Sequence, residues 1–350
     1  MFDKFFSKLR KATAVLLSTL MLFSFSLNAI AATITVDTLN DSGSVGDCEL
    51  RDAIGSANTN SAVDNCTAGE ASPVVDVIDF SVGGTINLNG TQLPTITEAV
   101  EIDGDNDNNG TPDVTIDAGA NSRILEVNSP DVTVRGLNFL NGASAGGTGG
   151  SIRVQTAADL TLLDSSFDNT GVGLGVTSRG GAIGLESDSN LNIDNVDFQN
   201  TSAVDGGAIY LGSETVNVDP EDVDLTINNA TFESNSATAS NGGAIYVGDN
   251  NEVEIQNTTI NNSQAERKGG AIYLAGESTP PPTNTLNLNA TNLSITNSTA
   301  DLSGLGDEGG GIYIGTNAET AASGLVIDNA SAYLGGGVFM SPAGILNLGV

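Results

Sequence analysis

The segment Gly206-Gly207-Ala208-Ile209-Tyr210-Leu211 recurs along the chain, and that recurrence narrows the folds open to it. Related copies are GGAIGL from Gly180, GGAIYV from Gly242, GGAIYL from Gly269, GGGIYI from Gly309 and GGGVFM from Gly335, with a looser GGSIRV from Gly149. Self-similarity at a period of roughly 30 residues means that one small supersecondary unit is stacked on copies of itself as a solenoid.

A second line of the repeat places an aliphatic residue, another two positions later, and a large apolar residue seven after the first. The pairs at that spacing are Val132/Phe139, Leu160/Phe167, Leu191/Phe198, Leu225/Phe232, Val253/Ile260 and Leu286/Leu293. The period of 2 at the start reads as a strand. Because seven is odd, an unbroken strand would put its first and last apolar residues on opposite faces, so a bend must intervene. Asn195, Asn229 and Asn257, with Gly136 and Asp164, stand four positions after the first aliphatic and tolerate left-handed backbone angles. A one-residue turn there restores the parity.

Short strands broken by a turn at this Asn, at the Phe-x-Asn segment and at the Gly pair predict an all-β fold, a right-handed parallel β-helix. The hand follows from the rule for parallel crossovers. Coils about 4.8 Å apart would align like residues in columns: Phe139, Phe167, Phe198 and Phe232 in one, Ile183, Ile209, Ile245 and Ile272 in another. A leucine-rich horseshoe would need a helical or 3₁₀ segment in every unit, and no helical period appears. With Ile209 and Leu211 inward, Ala208 and Tyr210 point outward. Tyr210, Tyr246, Tyr273, Tyr313 and Phe339 then form an exposed aromatic column, either a platform for sugars or a partner, or a device that stabilises the sheet.

Residues 1–31 read as a secretory signal: Lys4, Lys8, Arg10 and Lys11, the apolar run Ala12 to Leu27, and small residues at Ala29-Ile30-Ala31. No later segment is apolar enough to span a bilayer. Loss of the signal removes four of the 11 basic and one of the 43 acidic residues, moving the net charge from −32 to −35. Such a surface repels nucleic acid and anionic membranes, and a polyanionic sugar would need bridging cations.

Leu50, Ala53, Ile54 and Ala57 share one face at helical spacing, with Asp47 and Glu49 at the positive end of the helix dipole. A helix there would cover the open edge of the first coil. The expected division is a signal over 1–31, an N-terminal cap over 32–80 and β-helix repeats over 81–350.

The stretch CELRDAI at Cys48 resembles the CSLREA motif of secreted bacterial β-helix proteins, with Cys48, Leu50, Arg51, Ala53 and Ile54 matching and Glu49 and Asp52 departing. The Gly-Gly-Ala-Ile and Phe-x-Asn lines resemble repeats of polymorphic outer membrane proteins and other autotransporter passengers. These resemblances imply a secreted protein, extracellular or at the outer membrane surface, without a common reaction. Cys48 and Cys66 are the only cysteines, and in an exported chain a disulfide fastening the cap is expected. Other soft ligands for a zinc or redox site are missing.

The densest oxygen-ligand cluster runs from Asp103 to Asp113, with Asp103, Asp105, Asp107, Asn109 and Asp113 as candidate calcium ligands. From Asp105 it fills positions 1, 3, 5 and 6 of an EF-hand-like loop, but Ile116 occupies the twelfth, where a Glu belongs. Asp117 offers another way to close a looser cage. The competing reading is a solvated turn between coils. Residues 213–223 and 275–284, the latter containing Pro280-Pro281-Pro282, read as loops pushed out of the stack. The sequence stops within a strand-like segment, which fits either an incomplete chain or an edge covered by a partner.

For function, the first expectation is a non-enzymatic surface scaffold, adhesive or structural, that meets a polysaccharide or another surface protein. The second is a calcium-dependent carbohydrate-binding or polysaccharide-degrading protein, because pectate lyases and related hydrolases share the expected fold. The chain has no His, so a His-based triad is excluded. A glycosidase needs only two flanking carboxylates; Asp194/Asp197 and Glu252/Glu254 are pairs of that kind, though an acidic chain produces them by chance. No catalytic residue is assigned.

Overall fold

The computed structural model describes residues 31–144, 147–172, 179–212, 224–276, 288–301 and 306–349. The expected signal, apart from Ala31, and nearly all of both expected loops lie outside them. Among the described residues the strands fall into three sheets, and the paired strands run parallel. One coil consists of Asn190–Gln199 in the long sheet, Ser202–Ala203 in the smallest and Ile209–Leu211 in the third. Its successors repeat this order, which makes the chain a parallel β-solenoid.

Register makes the repeat physical. Phe139 pairs with Phe167, Phe167 with Phe198 and Phe198 with Phe232 across successive coils. Their rings stack at 4.6 to 5.1 Å between centroids and are buried. Ile183, Ile209, Ile245 and Ile272 pair in the same way and are equally buried. The bend required by parity is present: Gly136, Asp164, Asn195, Asn229 and Asn257 all have positive φ. Their side chains connect the coils, Asn195 Nδ2 donating to Asp164 Oδ1 and Asn229 Nδ2 to Asp194 Oδ1, each at 2.8 Å.

Two expectations about this frame need correction. Leu286 and Leu293 do not head the next coil's columns: Ile260 pairs with Ile295, which makes Leu288 and Ile295 the true pair, and Leu286 lies outside the described residues. The rule itself survives, because the left-handed turn falls four residues after Leu288, at Asn292. Ala208 does not point outward either. The strand begins only at Ile209, so Ala208 sits in the preceding corner and belongs to the core.

The Gly pair divides two tasks. Gly206 has φ +60°, a backbone conformation that disfavours any Cβ. Gly207 is needed for closeness, since a Cβ there would lie 2.1 Å from the carbonyl oxygen of Gly243 on the next coil.

At the N-terminal end, helix α1 (Leu50–Thr59) buries Leu50, Ala53, Ile54 and Ala57 in the core that the coils share. It packs against Thr33–Val36, the terminal strand of the long sheet. The residues around CELRDAI act as fasteners. Glu49 takes amide hydrogens from Ser42 and Gly43, and Arg51 holds Asp41 at 2.8 Å and the carbonyl of Gln92 at 2.7 Å. Burial pushes the Glu49 carboxyl up, but the amides of Gly43, Ser42 and Ser44 outweigh it, leaving its pKa below the usual carboxylate value.

Cys48 and Cys66 form a disulfide that fixes this helix at its start. Closing a loop of that length is worth about 3 kcal/mol. Reduction is expected to accelerate amide exchange over 33–80 while strands carrying the Phe column stay protected. Unchanged exchange over 33–80 after reduction would show that the bond does not hold the cap.

Candidate functional site

The acidic cluster arises where one coil departs from the turn rule. Val100–Asp103 pairs with Val132–Arg135, and Val114 pairs with Leu137, so residues 104–113 stand at the position that a single left-handed residue fills elsewhere. The insertion wraps on its own carboxylates. Asp105, only 2% exposed, accepts the amides of Asn109 at 3.1 Å and Gly110 at 2.8 Å, and Asp113 accepts that of Asn106 at 2.9 Å. Burial raises the Asp105 pKa, but the amides of Gly110 and Asn109 bring it below the ordinary value.

Of the five candidate ligands, Asp105, Asp107 and Asp113 come together, each offering a carboxylate oxygen within 4.8 Å of the others. The other two are turned to local tasks. Asp103 accepts the Asp105 amide and faces Arg135 at 3.6 Å, while Asn109 Oδ1 caps the Thr111 amide at 2.8 Å. Asp117, the alternative residue for closing a looser cage, accepts from Gly119 and Asn141 instead. The remaining donors are all hard oxygens, which suits calcium better than a transition metal.

The aromatic column forms, with less exposure than expected. Tyr210, Tyr246, Tyr273, Tyr313 and Phe339 stack in register at 4.9 to 5.6 Å. Tyr210 and Tyr313 are only 8% and 6% exposed, and the other three are half-buried. Tyr246, Tyr273 and Tyr313 have both ring faces covered by neighbours, so the middle of the column turns edges rather than faces to solvent, and a sugar stacks on faces. Arg179 lies 5.1 Å from the Tyr210 centroid and Lys268 4.4 Å from that of Tyr313, adding cation–π contacts. Burial pushes the Tyr273 hydroxyl up to about 12 and raises Tyr246 further.

Arg51, Arg123, Arg135, Arg153, Arg179 and Lys268 are matched to carboxylates within the scaffold. Arg135 and Arg153 occupy different sheets: Arg135 lies between Asp103 and Asp164, and Arg153 between Glu126 and Glu186. Sequence reasoning missed the buried network centred on Glu126, which accepts from Gln92 at 2.8 Å and from Arg153 at 2.9 Å and also bonds Gln155. Its signal was present in the outward column, where Glu126, Arg153 and Gly184 precede Tyr210 in register. One member of each suggested carboxylate pair serves a ladder, Asp194 accepting from Asn228 and Asn229 and Glu254 from Asn289.

Among curated proteins, the chain is 36% identical over 125 residues to the probable autotransporter YfaL of Escherichia coli. The match covers 34% of this chain and 10% of the relative, so the chain corresponds to a small part of that protein. No family model matches, and no solved structure does. No helix among the described residues is long and apolar enough to cross a membrane.

Proposed function

We propose that this chain is a non-enzymatic scaffold displayed at a bacterial cell surface, where its solenoid carries an adhesive or structural face. The observation that carries the reading is the stack of like coils, in which charged side chains serve neighbouring coils rather than converging on one cleft. The similarity to a probable autotransporter supports the location. Protease treatment of intact cells expressing the full gene product tests it. Digestion of the solenoid without lysis is the expected result; protection until the outer membrane is permeabilised would refute surface display.

The acidic loop supports a second, narrower proposal: Asp105, Asp107 and Asp113 hold one calcium ion weakly and stiffen their coil without supplying chemistry. Three carboxylates this close repel one another, and an ion relieves that repulsion. With no Glu at the twelfth position the expected dissociation constant is about 10⁻⁴ to 10⁻³ M. Calcium at fixed ionic strength should raise the melting temperature of the native chain more than that of an Asp105→Asn/Asp107→Asn variant. Equal shifts would mean that the ion only screens the net charge.

A further inference from the structure

The corner after the Phe column carries a feature that neither the acidic loop nor the aromatic column explains. At this corner the chain passes from the long sheet into the smallest sheet through left-handed residues: Asn141, Asn169, Asn200, Ser234, Asn262 and Asn297. Two clefts open there. One, of about 230 Å³, is lined by residues that include Asn169, Gly171 and Ser202; the other, of about 310 Å³, by residues that include Ser236, Asn262, Gln264 and Thr299. Gly171, Ser202, Ser236, Gln264 and Thr299 are successive partners in the smallest sheet. The two clefts are therefore aligned along the solenoid axis, a corner groove in two parts.

The lining is chemically selective. The chain has a net charge of −32, and the flanking outward column carries Asp168 and Glu233, yet neither cleft is lined by a charged or aromatic residue. The larger cleft is lined by Asn, Ser, Thr and Gln alone, whereas the smaller adds Ala120, Gly142, Ala143 and Gly171 to Asn169, Thr170 and Ser202. Asn262 donates one amide hydrogen to Ser234 at 2.9 Å, and an Asn amide has a second donor and a carbonyl oxygen as well. Gln264 stands exposed on the opposite wall. In the larger cleft, donors and acceptors thus recur in both walls, Ser234, Asn262 and Asn297 on one side and Ser236, Gln264 and Thr299 on the other, at the coil rise of about 4.8 Å.

We infer that this groove binds an extended neutral polysaccharide, with one wall of turn amides and one of strand hydroxyls and amides sharing hydrogen bonds with its hydroxyl groups. A polyanion would meet the acidic field of the chain without a cation to answer it. In the larger cleft a peptide would find no apolar side chain to receive its own. The inference supplies a ligand class for the adhesive form of the surface-scaffold reading and rests on that reading only for its biological setting.

The test is a calorimetric titration of the chain lacking its signal with cellohexaose, xylohexaose and maltohexaose, with hexagalacturonate and an unstructured polar peptide as comparators. A Ser236→Glu/Gln264→Glu variant places carboxylates in the groove. Gln256→Glu makes the same exposed amide-to-acid change on the long sheet of the same coil, outside the groove. The expected result is binding of at least one neutral hexamer, weakened about tenfold or more in the groove variant and unchanged in Gln256→Glu, with both variants keeping the native melting temperature. Absence of neutral-glycan binding at millimolar concentration, equal weakening in both variants, or preference for the galacturonate or the peptide would overturn it. The protease result on intact cells would stand in any of those cases, so the two readings fail separately.

Discussion

Phe198→Ala is expected to lower the unfolding free energy by about 3 to 5 kcal/mol, the range for truncating a large buried aromatic. Phe198 is fully buried, 5.1 Å from the Phe167 ring and 4.6 Å from that of Phe232, so its loss removes two stacked contacts and leaves a cavity between coils. The solenoid gives that cavity little means of closing, because the backbones on both sides are held in register by their own ladders. Stability in a stacked repeat is largely a sum of coil and nearest-neighbour terms, so the damage should be felt first at the coils on either side. Phe198→Leu should recover much of the loss. Equilibrium urea denaturation measures both, and an alanine variant within 1 kcal/mol of the native chain would mean that the Phe column does not bear the stack.

Gly207→Ala is expected to be almost as damaging although it adds a single methyl group. The new Cβ would stand 2.1 Å from the Gly243 carbonyl oxygen and 2.5 Å from the Ser236 amide nitrogen, both backbone atoms of the next coil. No rotamer change relieves a clash with backbone, so the coils must separate and ladder hydrogen bonds must lengthen. The expected cost is about 3 kcal/mol or more, the upper end for overpacking. Gly337→Ala is the control, since its nearest neighbour would be an Ile327 side-chain carbon at an ordinary 3.8 Å. Equal melting temperatures for the two variants would remove the close-approach explanation for the second Gly of the repeat.

Sequence reasoning reached the fold because the columns are written into it: parity demanded a bend, and Asn195, Asn229 and Asn257 stood where one was needed. It slipped at Leu286 because alternating Leu and Asn in that coil offers two frames two residues apart. Both turns select between them, Asn292 and Asn297 falling four and nine residues after Leu288 as in the other coils. The aromatic column was legible in direction but not in exposure. Alternation says which side Tyr210 takes; only the coil spacing and the flanking Arg179 say how much of the ring stays uncovered. For the acidic loop, composition identified the cluster, whereas the division of labour depended on partners remote in sequence. Arg135 draws Asp103 away, and Asn141 engages Asp117.

The central claim is the register of the stack, and electron–electron distance measurements between paired spin labels test it most directly. Thr133, Thr161, Asn192, Thr226, Glu254 and Asn289 are successive partners on the outer face of the long sheet. The native cysteines are joined to each other, which leaves introduced cysteines free for labelling. From a fixed label at Thr133→Cys, the backbone separation should be about 24 Å to Asn289→Cys and about 19 Å to Glu254→Cys, shrinking by about 4.8 Å for every coil removed. Distances that fail to fall in equal steps along this series would contradict the parallel stack.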